Sequence, residues 1–254
     1  MSQETVSRAL HAREHAKIAD HDYALYHSKR YDYVVTKCLA QKPSPDTTVL
    51  DIGRSPLTLK LCQHYRRVTS LGFPLTPDQR EAEIALKTID PCMLGHIEFD
   101  LNEARTVARY GSDDKFELIV FGETIEHLVA PPELVLSFLK GFLTNDGIII
   151  CQTPNAVALH KRLKMLLGIN PYERLRFEIL NQGHIREYTK QELIEIGQTA
   201  GLCVIEHEFL DYFGVQGGSI RHMAVAASKV ASLVFPSLSR GQTIIYCLPA
   251  TDSK

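Results

Sequence analysis

The sequence predicts an α/β domain built on a parallel sheet with helices on both faces, and three observations predict it. Short apolar runs alternate with amphipathic segments along most of the chain. The breaks between them fall at Gly, Pro, Asn and Asp. Several of the apolar runs end in an acid or a glycine. At 254 residues, one large domain suits such alternation better than two small ones.

Taken in order, His21 to Ala40 carries Tyr23, Tyr26, Tyr33, Val34 and Cys38 at helical spacing, and Gln41 to Asp46 breaks it. Thr47 to Ile52 is a short buried strand, followed by Gly53 and a helical run from Leu57 to Tyr65. Val68 to Leu71 is a second strand ending at Gly72-Phe73-Pro74. Thr76 to Lys87 is a helix with Thr76 as N-cap, Pro77 at its first position and acids in its first turns. His96 to Phe99 reads as a third strand ending in Asp100, and Phe116 to Phe121 as a fourth.

Pro131-Pro132 precede a helix from Glu133 to Phe142, and Asn145-Asp146-Gly147 turns the chain into a fifth strand, Ile148 to Gln152. Between Ala156 and Arg186 the rhythm breaks, which marks an insertion over the strand ends. Cys203 to Phe213 is a strand, Ser219 to Val234 a helix and Thr243 to Leu248 a last strand.

Composition narrows the function classes. The chain is 44% hydrophobic, 23% charged and 8% aromatic, enough apolar material for a sizeable core. A net charge of -2 provides no basic field for nucleic acid. No stretch approaches the roughly 20 apolar residues that span a bilayer. The N-terminus, MSQETVSRAL, lacks the apolar core of a secretory signal. Six cysteines (Cys38, Cys62, Cys92, Cys151, Cys203, Cys247) are scattered without CxxC spacing, as reduced thiols would be. Together these predict a cytoplasmic protein.

In an open α/β sheet, ligands bind outside the strand carboxyl ends where strand order reverses. The residues there are Asp51-Ile52-Gly53-Arg54-Ser55, Gly72-Phe73, Asp100-Leu101, Phe121-Gly122-Glu123-Thr124-Ile125-Glu126-His127-Leu128 and Thr153-Pro154-Asn155. Singly, Asp51 could cap a helix, Gly53 form a turn and Asp100 sit in a loop.

In order and spacing, however, VLDIG, FELIVFGETIEHL, GIIICQTPN and HIREYTKQELIEIGQTAGL resemble the class I S-adenosylmethionine-dependent methyltransferases. Within that superfamily they look most like the branch containing ubiquinone-biosynthesis O-methyltransferases. The likeness runs from about Thr47 to Leu210. It implies a seven-stranded, doubly wound, mostly parallel Rossmann-like sheet whose last strand is antiparallel, with an inserted helical lid at about 156–186. Residues 1–46 would be an N-terminal helical cap and 47–250 the methyltransferase domain. It also implies that Asp51, Gly53, Arg54, Ser55, Gly72 and Phe73 surround S-adenosylmethionine, with Asp100 and Leu101 at the adenine and Phe121, Gly122 and Glu123 lining the same pocket.

Two departures stand out. Arg54, Ser55, Pro56 and Leu57 follow Gly53 where the family has further glycines. Gly72-Phe73 stands where a carboxylate usually holds the ribose. They keep a second function class in view, a non-catalytic binding or regulatory partner. The missing GxGxxG argues against a nicotinamide-dependent oxidoreductase.

If a helix starts at Glu123, then Glu123, Glu126 and His127 share one face. Two carboxylates and an imidazole can hold a divalent metal, with His184 as a fourth ligand if the insertion folds back. Small-RNA 2′-O-methyltransferases use a similar ExxEH with a later histidine for metal. Without metal, His127 or His184 serves as general base, with Glu126 beside them; or the group merely braces the loop. The insertion, with His160-Lys161-Arg162-Leu163-Lys164 and then Arg174 and Arg176, reads three ways. It is a lid over a small-molecule acceptor, a surface helix in peripheral contact with an anionic membrane, or a solvated basic face. The expected reaction is methyl transfer to an oxygen, less readily to a nitrogen.

Overall fold

The computed structural model describes residues 27–77, 79–80, 92–106, 114–177, 183–212, 232 and 234–250. One seven-stranded sheet runs through it in the order β3-β2-β1-β4-β5-β7-β6. The strands are β1 (Thr48–Ile52), β2 (Arg67–Gly72), β3 (Met93–Glu98), β4 (Phe116–Gly122), β5 (Leu143–Pro154), β6 (Cys203–Leu210) and β7 (Gly241–Cys247). The pairs β1–β2, β1–β4, β2–β3 and β4–β5 are parallel, while β7 lies antiparallel between β5 and β6. The expected doubly wound sheet with an antiparallel last strand is therefore what the chain forms. Strand order reverses between β1 and β4, so both halves of the ligand site meet there.

The two faces carry two cores, as period-2 alternation requires. Leu50, Ile52, Ile119, Phe121 and Ile149 pack with α3 (Pro132–Lys140) and α5 (Lys190–Thr199). Val49, Leu118, Val120 and Ile150 pack with helix α1 (27–41) and α2 (Pro56–Cys62). Both cores are built from apolar side chains. The polar side chains Asp51, Gln152 and Thr153 are buried only at the strand ends.

Boundaries shift where local signals were weak. β3 starts at Met93 rather than His96, and β5 starts at Leu143, ahead of the Asn145-Asp146-Gly147 turn signal. The register of β4 against β5 slips between Phe116 and Leu118, so that signal marks an irregularity inside one long strand. Thr76 caps the helix expected after it, its Oγ1 accepting from Gln79 N at 3.3 Å. Most of that helix, the start of the first helix and most of Ser219 to Val234 fall outside the described residues. Among its described residues the lid is helical only in α4 (Leu159–Leu166). Beyond Leu167 it has no regular structure as far as residue 177.

Gly197 shows how tightly α5 is seated. A Cβ at that position would land on the ring of Tyr246, whose hydroxyl donates to Leu193 O at 2.8 Å. Gly197→Ala is expected to destabilise the fold by about 1–3 kcal/mol through overpacking. Thermal unfolding should register this as roughly 2–4 °C per kcal/mol, and an unchanged midpoint would contradict the packing.

Candidate active site

The site begins at the end of β1. Asp51 is buried, on the strand face that meets α2, and its Oδ2 accepts from Thr58 Oγ1 at 2.6 Å. Thr58 Oγ1 in turn accepts from Ser55 N at 3.0 Å, and Ser55 Oγ accepts from Leu57 N at 3.2 Å. Ser55, not Asp51, is thus the cap of α2, and a capping box locks the loop that lacks the family's extra glycines. Burial pushes the Asp51 carboxyl up to about 7, although the Thr58 hydroxyl and the charges of Arg30 and Arg54 pull the other way.

Gly53 has φ +84, and a Cβ there would meet nothing within 4 Å, so the backbone faces open space. Gly53 N donates to Leu71 O at 2.8 Å, and a Cβ on Gly72 would touch Gly53 Cα at 3.6 Å. The two glycines bring β1 and β2 together at the mouth. Beyond them no carboxylate lies at the β2 end among the described residues. Arg54 Nη1 donates to Ser70 Oγ at 3.2 Å, Ser70 Oγ lies 2.8 Å from His96 Nδ1, and Phe73 is exposed.

Asp100 caps a short 3-10 turn, Leu101–Arg105, by accepting from Asn102 N at 2.9 Å; Leu101 is buried beneath it.

A residue that sequence reasoning missed sits at the centre. Arg30 of α1 is buried, its Nη1 donating to Gln152 Oε1 at 3.4 Å and lying 3.6 Å from where a Gly122 Cβ would be. It therefore spans the ends of β4 and β5. Its charge draws down the carboxyl groups of Asp51, Glu123 and Glu126 alike. A lone arginine on a helix reads as a solvated residue, so only its place opposite the strand ends reveals it. Gln152 Nε2, also buried, has no partner among the described residues.

The second half grows from the end of β4. No helix starts at Glu123. That residue has φ +50, a left-handed conformation that costs a side-chain-bearing residue roughly 1–3 kcal/mol, and a single 3-10 turn follows at Ile125–His127. Glu126 is fully buried, its Oε2 accepting from Thr153 Oγ1 at 3.0 Å while Oε1 has no hydrogen-bond partner among the described residues and lies 4.0 Å from His127 Nε2. Burial raises Glu126 to about 7 and, with the nearby Glu126 charge, holds Glu123 well above the usual carboxylate range.

The inserted segment does fold back. Ile185 N and Arg186 N donate to Glu126 O at 2.7 and 3.2 Å, and His127 Nδ1 lies 2.9 Å from Gly183 O. His184 is thereby set edge-on to His127, ring centroids 4.8 Å apart at 80°. Burial, and then the neighbouring His127, pushes His184 down to about 4, so it is a neutral imidazole at pH 7.

One ligand atom each from Glu126, His127 and His184 lies within 4.8 Å of the others. Of the four residues expected to share a metal, these three converge. Glu123 does not belong to the set, because its left-handed backbone turns it out of the helical register that the ExxEH spacing assumed.

A glycine with open space beside it at the end of β1, and at the ends of β4 and β5 a buried guanidinium next to an amide nitrogen without a partner among the described residues, are groups of the kind that would hold the amino-acid part of the expected cofactor. At the end of β2, where the resemblance puts a ribose-binding carboxylate, Arg54, Ser70 and His96 form a hydrogen-bonded chain instead.

A family model described as a methyltransferase domain matches residues 23–207. No curated protein matches the chain. Among solved structures it is similar to an S-adenosylmethionine-dependent methyltransferase from Clostridium acetobutylicum ATCC 824, with TM-score 0.58 and 15% identity over 93% of this chain and 99% of that one. It is also similar to magnesium protoporphyrin IX methyltransferase from Synechocystis PCC 6803, with TM-score 0.57 and 12% identity over 89% and 84%. A third is the N-methyltransferase NodS from Bradyrhizobium japonicum WM9, with TM-score 0.52 and 15% identity over 89% and 88%. At these identities the likeness is one of fold.

Proposed function

The chain belongs to the methyltransferase domain family, and from that premise we propose that it transfers a methyl group from S-adenosylmethionine to an oxygen of a small-molecule acceptor. The observation that carries this reading is the convergence of Glu126, His127 and His184 after β4, next to the β1 end with Asp51 and Gly53 and to the buried Arg30 of α1. Bound there, S-adenosylmethionine would supply a methyl group on sulfonium, an already activated leaving group. Asp51, Gly53, Ser55 and Gly72 would hold its methionine side, together with Arg30, Phe121, Gly122 and Glu123. Asp100 and Leu101 would hold the adenine, and Arg54 and Phe73 would flank the ribose.

Oxygen is favoured over nitrogen by the proton acceptors present. Alcohols and phenols must lose a proton to become good nucleophiles. His127 Nδ1 donates to Gly183 O, which leaves Nε2 to accept that proton, and neutral His184 lies beside it. Holding the hydroxyl against these nitrogens aligns it for transfer. The ExxEH and HIREYT spacing supports an acceptor like those of the quinone O-methyltransferase branch, a polar ring on an apolar body. Leu163, Leu166, Leu167, Ile169 and Phe177 of the lid are exposed among Arg162, Lys164, Arg174 and Arg176, as suits an acceptor presented at an anionic lipid surface. No described helix is long and apolar enough to cross a membrane. The six free cysteines agree with a cytoplasmic setting.

Glu126 Oε1, which accepts no hydrogen bond from the described residues, favours a second version of the same chemistry. A divalent cation held by Glu126, His127 and His184 would lower the pKa of the acceptor hydroxyl.

Titration calorimetry with S-adenosylhomocysteine tests the reading. Micromolar binding is expected for the native chain and is lost in Asp51→Ala and Asp100→Ala. His184→Ala should bind normally yet lose about 10²–10⁴ in kcat. Activity undiminished by chelation and dialysis removes the metal. A folded native protein that binds nothing, with or without divalent metal, makes the chain a non-catalytic partner, as the Gly72-Phe73 departure would allow.

A further inference from the structure

We propose that Glu187 is the positioning residue that sets which nitrogen His184 offers to the acceptor, and that Lys161 joins the lid helix to this arrangement. The inference rests on the reading that His184 works on the acceptor. Glu187 Oε1 lies 3.1 Å from His184 Nδ1, and Glu187 Oε2 pairs with the ammonium of Lys161. Lys161 Nζ also donates to Asn155 O at 3.0 Å, in the loop that ends β5. A carboxylate only accepts hydrogen bonds, so Nδ1 carries the proton and Nε2 keeps its lone pair. Gly183 O imposes the same tautomer on His127. Both rings belong to the set that includes Glu126, and His127 Nε2 lies 4.0 Å from Glu126 Oε1.

The ion pair has no evident stabilising purpose. The side chains of Lys161 and Glu187 are each only 7% exposed, and a buried pair of this kind gains little over an apolar one of equal volume. Orientation of the imidazole gives it a purpose, as outer partners of catalytic and ligating histidines do elsewhere. When the acceptor O–H bond breaks, the proton goes to Nε2. The imidazolium that forms is then held against the Glu187 carboxylate.

Lys161 adds a second consequence, because it is the one buried residue of α4. Around it Arg162, Leu163, Lys164, Met165 and Leu166 are all exposed. The lid helix is therefore anchored by the same ammonium that pairs with the positioning carboxylate. Displacing the helix withdraws the partner of Glu187.

The test is ¹⁵N NMR of histidine-labelled full-length protein, which reads the tautomer without any turnover. Native His184 is expected to be protonated at Nδ1 and bare at Nε2. In Glu187→Ala the Nε2-protonated form should appear; Glu187→Gln, which retains an acceptor oxygen, should restore the native tautomer. Where methyl transfer is measured, Glu187→Ala should lower kcat about 10–100-fold, the range found for outer-shell partners, with S-adenosylhomocysteine affinity and the KM for S-adenosylmethionine unchanged. If Glu187→Ala does not fold, Lys161→Met carries the test, with a mixed His184 tautomer expected. A native His184 protonated at Nε2, or a tautomer indifferent to both variants, would overturn the proposal. A native protein without turnover but with the stated tautomer would remove the proposed reaction and leave this positioning intact.

Discussion

Replacing Arg30 with methionine is expected to weaken S-adenosylhomocysteine binding about a hundredfold or more in titration calorimetry, with the fold preserved by circular dichroism. The guanidinium is buried where β1, β4 and β5 end, and among the described residues its hydrogen bonds go to Gln152 and His27. An amino-acid carboxylate entering the cradle at Gly53 would find Arg30 as its cationic partner, one that draws on three carboxyl groups without forming a salt bridge to any of them. Removing one partner from a buried charge pair costs about 2–5 kcal/mol, and each 1.4 kcal/mol is tenfold in affinity. Lysine at this position should recover part of the loss, since it keeps the charge without the planar fork. Unchanged affinity in Arg30→Met would assign the arginine to packing alone.

The second large effect is on stability. Asp51→Asn is expected to stabilise the cofactor-free protein increasingly as pH rises from about 4 to 7, while weakening cofactor binding. The folded-state value of Asp51, about 7, lies above its ordinary 3.8. Between those values the folded chain holds a proton that the unfolded chain has released. Native stability therefore falls with rising pH in that window, by up to about 1.4 kcal/mol per pH unit for this one group. Asparagine neither titrates nor carries the buried charge, yet keeps an acceptor for the Thr58 hydroxyl.

The quantity to measure is the difference in unfolding midpoint between variant and native protein at each pH. Taking the difference removes the opposite contribution of His27, His160 and His184, whose lowered values favour folding as pH rises through roughly 4 to 6.5. A flat difference curve would mean that Asp51 is ionised throughout. Glu126→Gln should follow the same course, because burial lifts Glu126 from 4.5 to about 7.

Much of the fold was legible because β1, β4 and β5 carry the apolar runs Val49-Leu50, Leu118 to Phe121 and Ile148 to Cys151, closed by Asp51, Gly122 and Gln152, a pattern suited to strands buried on both faces. The strand-end residues Asp51, Gly53, Gly122 and Glu126 were legible for the same reason, since polar or conformationally special residues there interrupt an otherwise apolar pattern. β3 was harder: Met93, Gly95 and His96 give an edge strand little alternation to show. Glu123 misled, because spacing alone cannot reveal a left-handed φ that breaks the helical register.

Arg30, Lys161 and Glu187 were invisible for another reason. Each is a charged residue in a segment that reads as solvated. Each is buried by tertiary contacts from sequence-distant segments, such as those joining Arg30 to Gln152 and Lys161 to Glu187.

The seating of β7 bears on how the molecule is made. β6 forms ladder contacts with β7 alone, and β7 must slide between β5 and β6 in the opposite direction to close the sheet. During synthesis the chain can assemble β1 through β5 around the strand-order reversal, but β6 has no berth until residues 241–247 have emerged. Until then the β5 edge stands open, with Ile148, Ile149 and Ile150 in its unpaired strand, an invitation to other nascent chains. Completing the sheet is thus a non-local docking step between segments about 90 residues apart, the kind of pairing that folds slowly.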